Sequence, residues 1–227
     1  MSDIFREVDE DIRQEKFRRL WDRFGYLVIG VAVLIVVGTG GYRGWLYWEE
    51  TNSHKAGDTF IEAVQLSDDG KYQEAAELYG ELENSIGGYP AISRLRAATD
   101  LANSGSASEA LAQFDALTID SKLAPSLRDI AALRAGYLAV DLEDYPSVAD
   151  RVEGLTGESG AFRAAARELL ALSAWKNDDI DTARKWISDI ENDSETPVDI
   201  TRRVTILADV IRAQHGEVAA AGEEKTQ

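Results

Sequence analysis

The sequence predicts an all-α protein: a single transmembrane helix, then a solenoid of about four helix hairpins with a C-terminal capping helix. Three observations carry that expectation. One stretch, Gly25–Trp48, reads GYLVIGVAVLIVVGTGGYRGWLYW and is apolar enough to leave water. From residue 50 onward the apolar residues recur at helical spacing, without sustained strand-like alternation. Hairpin signals also return at spacings of 35, 38 and 35 residues, as a repeat architecture requires. The expected divisions are an N-terminal tail (1–24), a membrane helix (25–48), a repeat domain (49–215) and a small, polar, disordered tail (216–227).

Charge and composition narrow the chemistry. The 227 residues carry a formal net charge of −17, with no Cys and two His. Missing cysteines exclude disulfides, thiol nucleophiles and thiolate metal sites. Residues 1–48 balance seven basic against seven acidic side chains, so the whole excess lies in 49–227, with 17 basic and 34 acidic. A surface that acidic repels phosphate backbones, and no nucleic-acid partner is expected.

A spanning helix needs about 20 mostly apolar residues, because each rises ~1.5 Å through a core ~30 Å thick. Gly25–Tyr42 supplies 18 residues without a charge, and Trp45, Leu46, Tyr47 and Trp48 form an aromatic end suited to the headgroup level. Bulky aromatics stand where a signal-peptide cleavage site would need small residues, so the segment is expected to remain as a bilayer anchor. Arg13, Lys16, Arg18, Arg19 and Arg23 precede it, whereas only Arg43 and Lys55 follow before Lys71. That bias predicts a single-pass protein with its N-terminus cytoplasmic and the remainder exported. Gly38, Gly40, Gly41 and Gly44 lie where a second helix could approach closely. In the tail, Ile4, Phe5, Val8 and Ile12 share one helical face, and Phe17, Leu20, Trp21 and Phe24 another. The second set is expected in the membrane interface.

Beyond the span, Pro90, Pro125, Pro146 and Pro197 mark helix starts, where a missing N–H costs nothing. Ser106 and Glu109 have capping-box spacing. Polar breaks at 67–70, 103–106, 141–144 and 177–179 separate nine helices: four hairpins and a last one over about 198–213. Aligned at Gly70, Gly105, Glu143 and Asp178, the hairpins share small residues seven positions earlier (Ala63, Ala98, Gly136, Ala171). Five positions later come Ala75, Ala110, Val148 and Ala183; nine later, Tyr79, Phe114, Val152 and Ile187; twelve later, Leu82, Leu117, Leu155 and Ile190. Small residues let paired helices approach, and large ones fill the gap to the next pair. This is the tetratricopeptide pattern, close to its usual period. The last helix places Val198, Ile200, Val204, Leu207 and Ile211 on one apolar face and reads as a cap.

In such a solenoid the first helix of each pair lines a groove. The register puts Phe60, Val64, Leu95, Thr99, Leu133, Tyr137, Leu172 and Trp175 towards it. Two readings fit: an open groove for an extended or unfolded peptide, or core positions filled by neighbouring helices or by the last helix. No catalytic site is expected. His54 and His215 have no relay around them, and Asp68–Asp69 and 177–179 read as helix N-caps rather than metal loops. No cofactor or metal is called for.

The segment Gly44–Trp48 followed by Asn52, Ser53 and His54, together with YPAISRLRAATDLANSG (89–105) and LRDIAALRAGYLA (127–139), resembles the bacterial YfgM family, described as the ancillary subunit of the SecYEG translocon. The resemblance spans nearly the whole chain. It implies an inner-membrane protein with its bulk in the periplasm, associated with the translocon and periplasmic chaperones and handling emerging exported chains. An alternative from another class is a scaffold for cell-envelope assembly or division.

Overall fold

The computed structural model describes the backbone of residues 3–216 and the side chains of Arg18 and residues 21–216. Among the described residues all regular structure is helical: α1 (Asp3–Asp68), α2 (Tyr72–Glu81), α3 (Tyr89–Asn103), α4 (Ala107–Thr118), α5 (Pro125–Leu142), α6 (Tyr145–Val152), α7 (Arg163–Lys176), α8 (Ile180–Glu191) and α9 (Val198–His215). Short 3₁₀ turns at Leu82–Asn84 and Glu153–Leu155 extend α2 and α6. The chain forms two compact units, Met1–Lys55 and Ala56–Gln227. The tail beyond Gly216, and the side chains of Ile4, Phe5, Val8, Ile12, Phe17 and Leu20, lie outside the described residues.

In the first unit, α1 carries no proline, and its glycines cost only about 1 kcal/mol each, too little to break a helix. The stretch from Trp21 is long and apolar enough to cross a membrane. Its apolar side chains are exposed, Leu34 at 72% and Val36 at 70%. The Thr39 and Thr51 hydroxyls donate to the Ile35 and Tyr47 carbonyls at 2.7 and 2.8 Å. Self-satisfaction of this kind suits a helix that loses water.

In the second unit each hairpin packs around its small residues. Ala63, Ala98 and Ala171 on the first helices, and Ala75, Ala110, Val148 and Ala183 on the second, are fully buried. Tyr79, Phe114, Val152 and Ile187 fill the space beyond them. Gly136 takes the small-residue position in the third hairpin for a local reason. A Cβ there would meet Val152 Cγ1 at 2.7 Å and Leu169 Cδ1 at 3.0 Å.

Three of the four hairpin turns are the same object. Gly70, Gly105 and Asp178 adopt left-handed φ of 78°, 91° and 61°. The next N–H reaches back to the helix, from Lys71 to Leu66 O (2.8 Å), Ser106 to Leu101 O (2.9 Å) and Asp179 to Ala174 O (2.9 Å). This is the Schellman closure, and Asp178 accepts the conformation usually left to glycine. The third turn differs: Glu143 is extended at φ −134°, and the Asp144 side chain accepts from Ser147 N at 3.2 Å to cap α6. That change accompanies the longer 38-residue spacing.

Some capping expectations are corrected. Ser106 is the N-cap of α4 but makes no side-chain bond, whereas the longer Asp179 side chain after the same kind of turn does. Lys71, not Asp68 or Asp69, occupies the α2 N-cap. Asp179 does cap α8, accepting from Thr182 N at 3.1 Å. Val198 is 75% exposed, while Ile200, Val204, Leu207 and Ile211 are buried.

The core has a seam. The main cluster runs from Ala98 to Ile211, whereas the first hairpin holds a satellite of Ala63, Ala75 and Tyr79. A buried polar cluster crosses that seam. Ser67 contacts Asp100, the Tyr79 hydroxyl (3.2 Å) and Ala63 O (3.1 Å). A serine has one hydrogen and two acceptor sites. With Asp100 ionised, Ser67 must donate to it, and the Ala63 contact loses its hydrogen. With Asp100 neutral, the acid donates to Ser67, Tyr79 donates too, and Ser67 is free to donate to Ala63. Burial raises the Asp100 pKa; the Ser67 bond and Arg96 oppose it, and Asp68 adds to it. A raised native pKa means this contribution is complete below about pH 4 and is lost as pH rises through the native value.

Asp100→Asn, whose amide donates as the neutral acid does, is expected to melt at or above the parent temperature at pH 7. That advantage should shrink towards pH 4 in thermal scans followed by circular dichroism. Gly136→Ala gains helix propensity but overpacks Val152 and Leu169, and should lose on the order of 1 kcal/mol in urea unfolding.

Candidate functional site

The packing of the second unit creates an inner and an outer layer. α5 packs directly on α7 and α7 on α9, whereas α3 and α5, like successive second helices, meet at most marginally. From α5 to α9 the first helices are therefore the more closely spaced layer. α9 continues that layer. Leu133, Glu168 and Arg203 follow one another at 35-residue intervals on α5, α7 and α9, so α9 stands where a fifth first helix would.

The eight groove candidates divide by environment. Phe60 is half-buried, its ring centroid 6.0 Å from both Tyr79 and Tyr89, so it belongs to the satellite core. Val64 is half-buried on the same helix. Leu95, Leu133, Leu172 and Trp175 are half-buried, each resting one side on the main core. Thr99 turns its hydroxyl to the Leu95 carbonyl at 2.9 Å. Tyr137, on α5, is 45% exposed. Trp175 Nε1 donates to Gln214 Oε1 of α9 at 3.3 Å, so the last helix reaches the fourth hairpin.

Beside Tyr137 lies a feature that sequence reasoning missed. Glu168 is 3% exposed, and Arg203 forks onto it, Nε to Oε1 at 2.6 Å and Nη2 to Oε2 at 2.7 Å. Arg203 Nη1 also reaches Asp199 Oδ2 at 3.1 Å. Burial raises the Tyr137 phenol pKa, the Glu168 charge adds to that, and Arg203 opposes it. The signal was available, since Glu168 occupies the repeat position filled by Phe60, Leu95 and Leu133. A carboxylate in an apolar register needs a cation, and Arg203 is one repeat further on.

Other arginines pair with acids on other helices and turns, Arg151 between hairpins and the rest within one. Arg151 of α6 holds Asp115 of α4 at 2.8 Å and Glu143 at 2.5 Å. Arg163 and Arg167 of α7 share Asp193, whose carboxyl is drawn down to about 2 chiefly by Arg163. Arg94 of α3 holds Asp120 at 2.5 Å.

Elsewhere, a trough of about 410 Å³ lies among α2, α3 and α4, lined by Ala76, Gly80, Ala97 and Ala116 with Glu83 and Arg94. It gathers no nucleophile–base pair. His54 is exposed, 3.8 Å from Glu50, and His215 is exposed at the end of α9. Among the described residues no three His, Asp or Glu side chains gather to hold a metal. On α1, Gly38, Gly40, Gly41 and Gly44 have open space where a Cβ would project.

A family profile described as a tetratricopeptide repeat-like domain matches residues 18–189, from before the apolar stretch to within α8. No curated protein and no solved structure matches the chain.

Arg203→Met strands Glu168 in a buried site and is expected to cost roughly 2–4 kcal/mol, below a fully buried pair because Arg203 is half-exposed. The double change Glu168→Leu with Arg203→Met should recover most of that loss in urea unfolding.

Proposed function

Since the chain belongs to the tetratricopeptide repeat-like domain family, whose repeats serve as protein-interaction scaffolds, we propose that it is a membrane-anchored adaptor without catalytic activity. The observation that carries this is the partial exposure of Leu95, Thr99, Leu133 and Tyr137 on the first helices of two successive hairpins. The anchor is residues 25–48, whose exposed apolar side chains need a covering that lipid supplies. The basic flank on the N-terminal side supports a cytoplasmic N-terminus with the repeat domain, residues 49–215, exported.

The partners we infer are the SecYEG translocon and periplasmic chaperones, with emerging exported chains as clients. Support comes from the resemblance of the span's aromatic end and of the helices ahead of the second and third hairpin turns. The uncovered glycines of α1 give a second helix room to approach, and we assign Gly40 and Gly44 as its contact. Phe60, Val64, Leu172 and Trp175 complete the proposed partner surface at its two ends.

Photo-crosslinking in vivo tests both surfaces. Probes at Gly40 and Gly44 are expected to trap a translocon subunit, and a probe at Tyr137 an exported chain or chaperone. Adducts with neither class would count against the adaptor role. Tyr137→Ser should abolish the partner adducts formed by a probe at Thr99, while leaving the melting temperature within about 2 °C, as expected for an exposed side chain.

A further inference from the structure

The four second helices are not equally acidic. α2 and α4 carry five acidic side chains and no basic one, whereas α6 and α8 carry four acidic and three basic. The trough of about 410 Å³ lies beside these two base-free helices, with α3. α2 and α4 meet at most marginally, and no side-chain bond joins them among the described residues. Small residues leave the space open: Ala76 and Gly80 of α2, Ala97 of α3 and Ala116 of α4.

The next two gaps between second helices are bridged. Between α4 and α6, Arg151 crosses to Asp115 at 2.8 Å, and between α6 and α8 the Trp186 indole donates to the Tyr145 hydroxyl at 3.0 Å. Arg151 and Trp186 each stand eight positions after the hairpin turns at Glu143 and Asp178, and the equivalent residue of α4 is Gln113. Asp115 stands ten positions after Gly105, and the equivalent residue of α2 is Gly80. Gln113 and Gly80 both line the trough. The later hairpins thus put a long crossing side chain where the first two supply none. Acids are nevertheless gathered there. Glu83 lines the trough, Glu77 lies one turn from Gly80, and Glu109 lies one turn from Gln113. All three are exposed, and none makes a hydrogen bond or salt bridge among the described residues. Arg94, in the same wall, is engaged by Asp120 at 2.5 Å. Ser93, which also lines the trough, is fully buried, and its hydroxyl has no partner.

We propose that this trough is a docking site for a basic segment of a partner protein, one of whose arginine side chains fills the space that Arg151 fills between α4 and α6. The inference rests on the adaptor reading and adds to it a second partner surface of stated chemistry. The match is amphipathic. An arginine stem can lie over Ala76, Gly80, Ala97 and Ala116 while its head stays at the acidic rim. The guanidinium offers five N–H donors in a planar fork, which suits unpaired carboxylates, and Ser93 offers an acceptor. Arg151 does the same within the chain, holding Asp115 and Glu143 together. An acidic segment would bring like charge to Glu77, Glu83 and Glu109, and an uncharged one would gain nothing from them.

The test uses the full chain in detergent micelles and fluorescent nonapeptides read by anisotropy. It is run at physiological salt, where charges beyond about 8 Å are screened. The peptides carry a central Arg, Lys or citrulline between the same two flanking Lys. The Arg peptide is expected to bind at least tenfold more tightly than its uncharged citrulline counterpart, with the Lys peptide between them. Ala116→Leu fills the trough without changing charge, and Glu77→Gln with Glu83→Gln and Glu109→Gln removes charge without filling it. Each should abolish the preference at unchanged melting temperature. Gln113→Arg supplies the crossing arginine from α4 itself and should weaken the Arg peptide at least tenfold. Equal binding of the Arg and citrulline peptides, or no binding by any peptide, overturns the proposal. An Arg preference that survives Ala116→Leu also overturns it, by assigning the attraction to the overall acidity of the chain. Partner crosslinks from Tyr137 beside a failed trough refute this site alone, and their absence beside it refutes the adaptor reading too.

Discussion

Close approach of two helices at a point with no room for a side chain is the constraint on which the rest of the fold depends. Ala63, Ala98, Gly136 and Ala171 are those points, all buried, and at Gly136 even a Cβ would run into Val152. Once the axes are that close, Tyr79, Phe114, Val152 and Ile187 are long enough to reach the next hairpin, and burying a side chain of that size contributes roughly 1.5–3 kcal/mol. The small residues thereby set the direction of every first helix, and so decide which side chains face the groove. Leu95, Leu133 and Tyr137 line a surface because Ala98 and Gly136, on another face of the same helices, allow the neighbour in.

Electrostatics is layered onto that geometry. Arginines find acids because the packing brings the two together, as Arg151 finds Asp115 between hairpins and Arg163 finds Asp193 within one. Glu168 would not survive at its buried position without Arg203.

Much of this was legible in the residues because it is steric and local. Ala or Gly at the crossing and Gly70, Gly105 or a tolerant Asp178 at the left-handed turn are demands that sequence states directly. What sequence did not reveal depended on distant or competing geometry. The Glu168–Arg203 pair needs α9 to occupy first-helix register, which an apolar-periodicity argument treats as a mere cap. The Ser106 capping box has the right letters, yet Ser106 makes no side-chain bond, whereas the longer Asp179 side chain does. Val198 is assigned by sequence to the face of Ile200 and Val204, yet it stands at the first position of α9 and stays exposed. Along α1, the change from lipid-suited to water-suited residues is a change of chemistry that the backbone, helical through Asp68, does not mark. Of the groove candidates, Tyr137 alone is plainly exposed, because half-burial at Leu95 or Leu172 depends on how neighbours crowd them.

α9 occupies a first-helix place, in step with α5 and α7 through Leu133, Glu168 and Arg203. A side chain borne one repeat along can thus serve the helix before it, since Arg203 neutralises an acid that α7 alone could not keep buried. Truncation before α9 would therefore be felt on α7 first as an uncompensated charge, and only then as bared apolar surface.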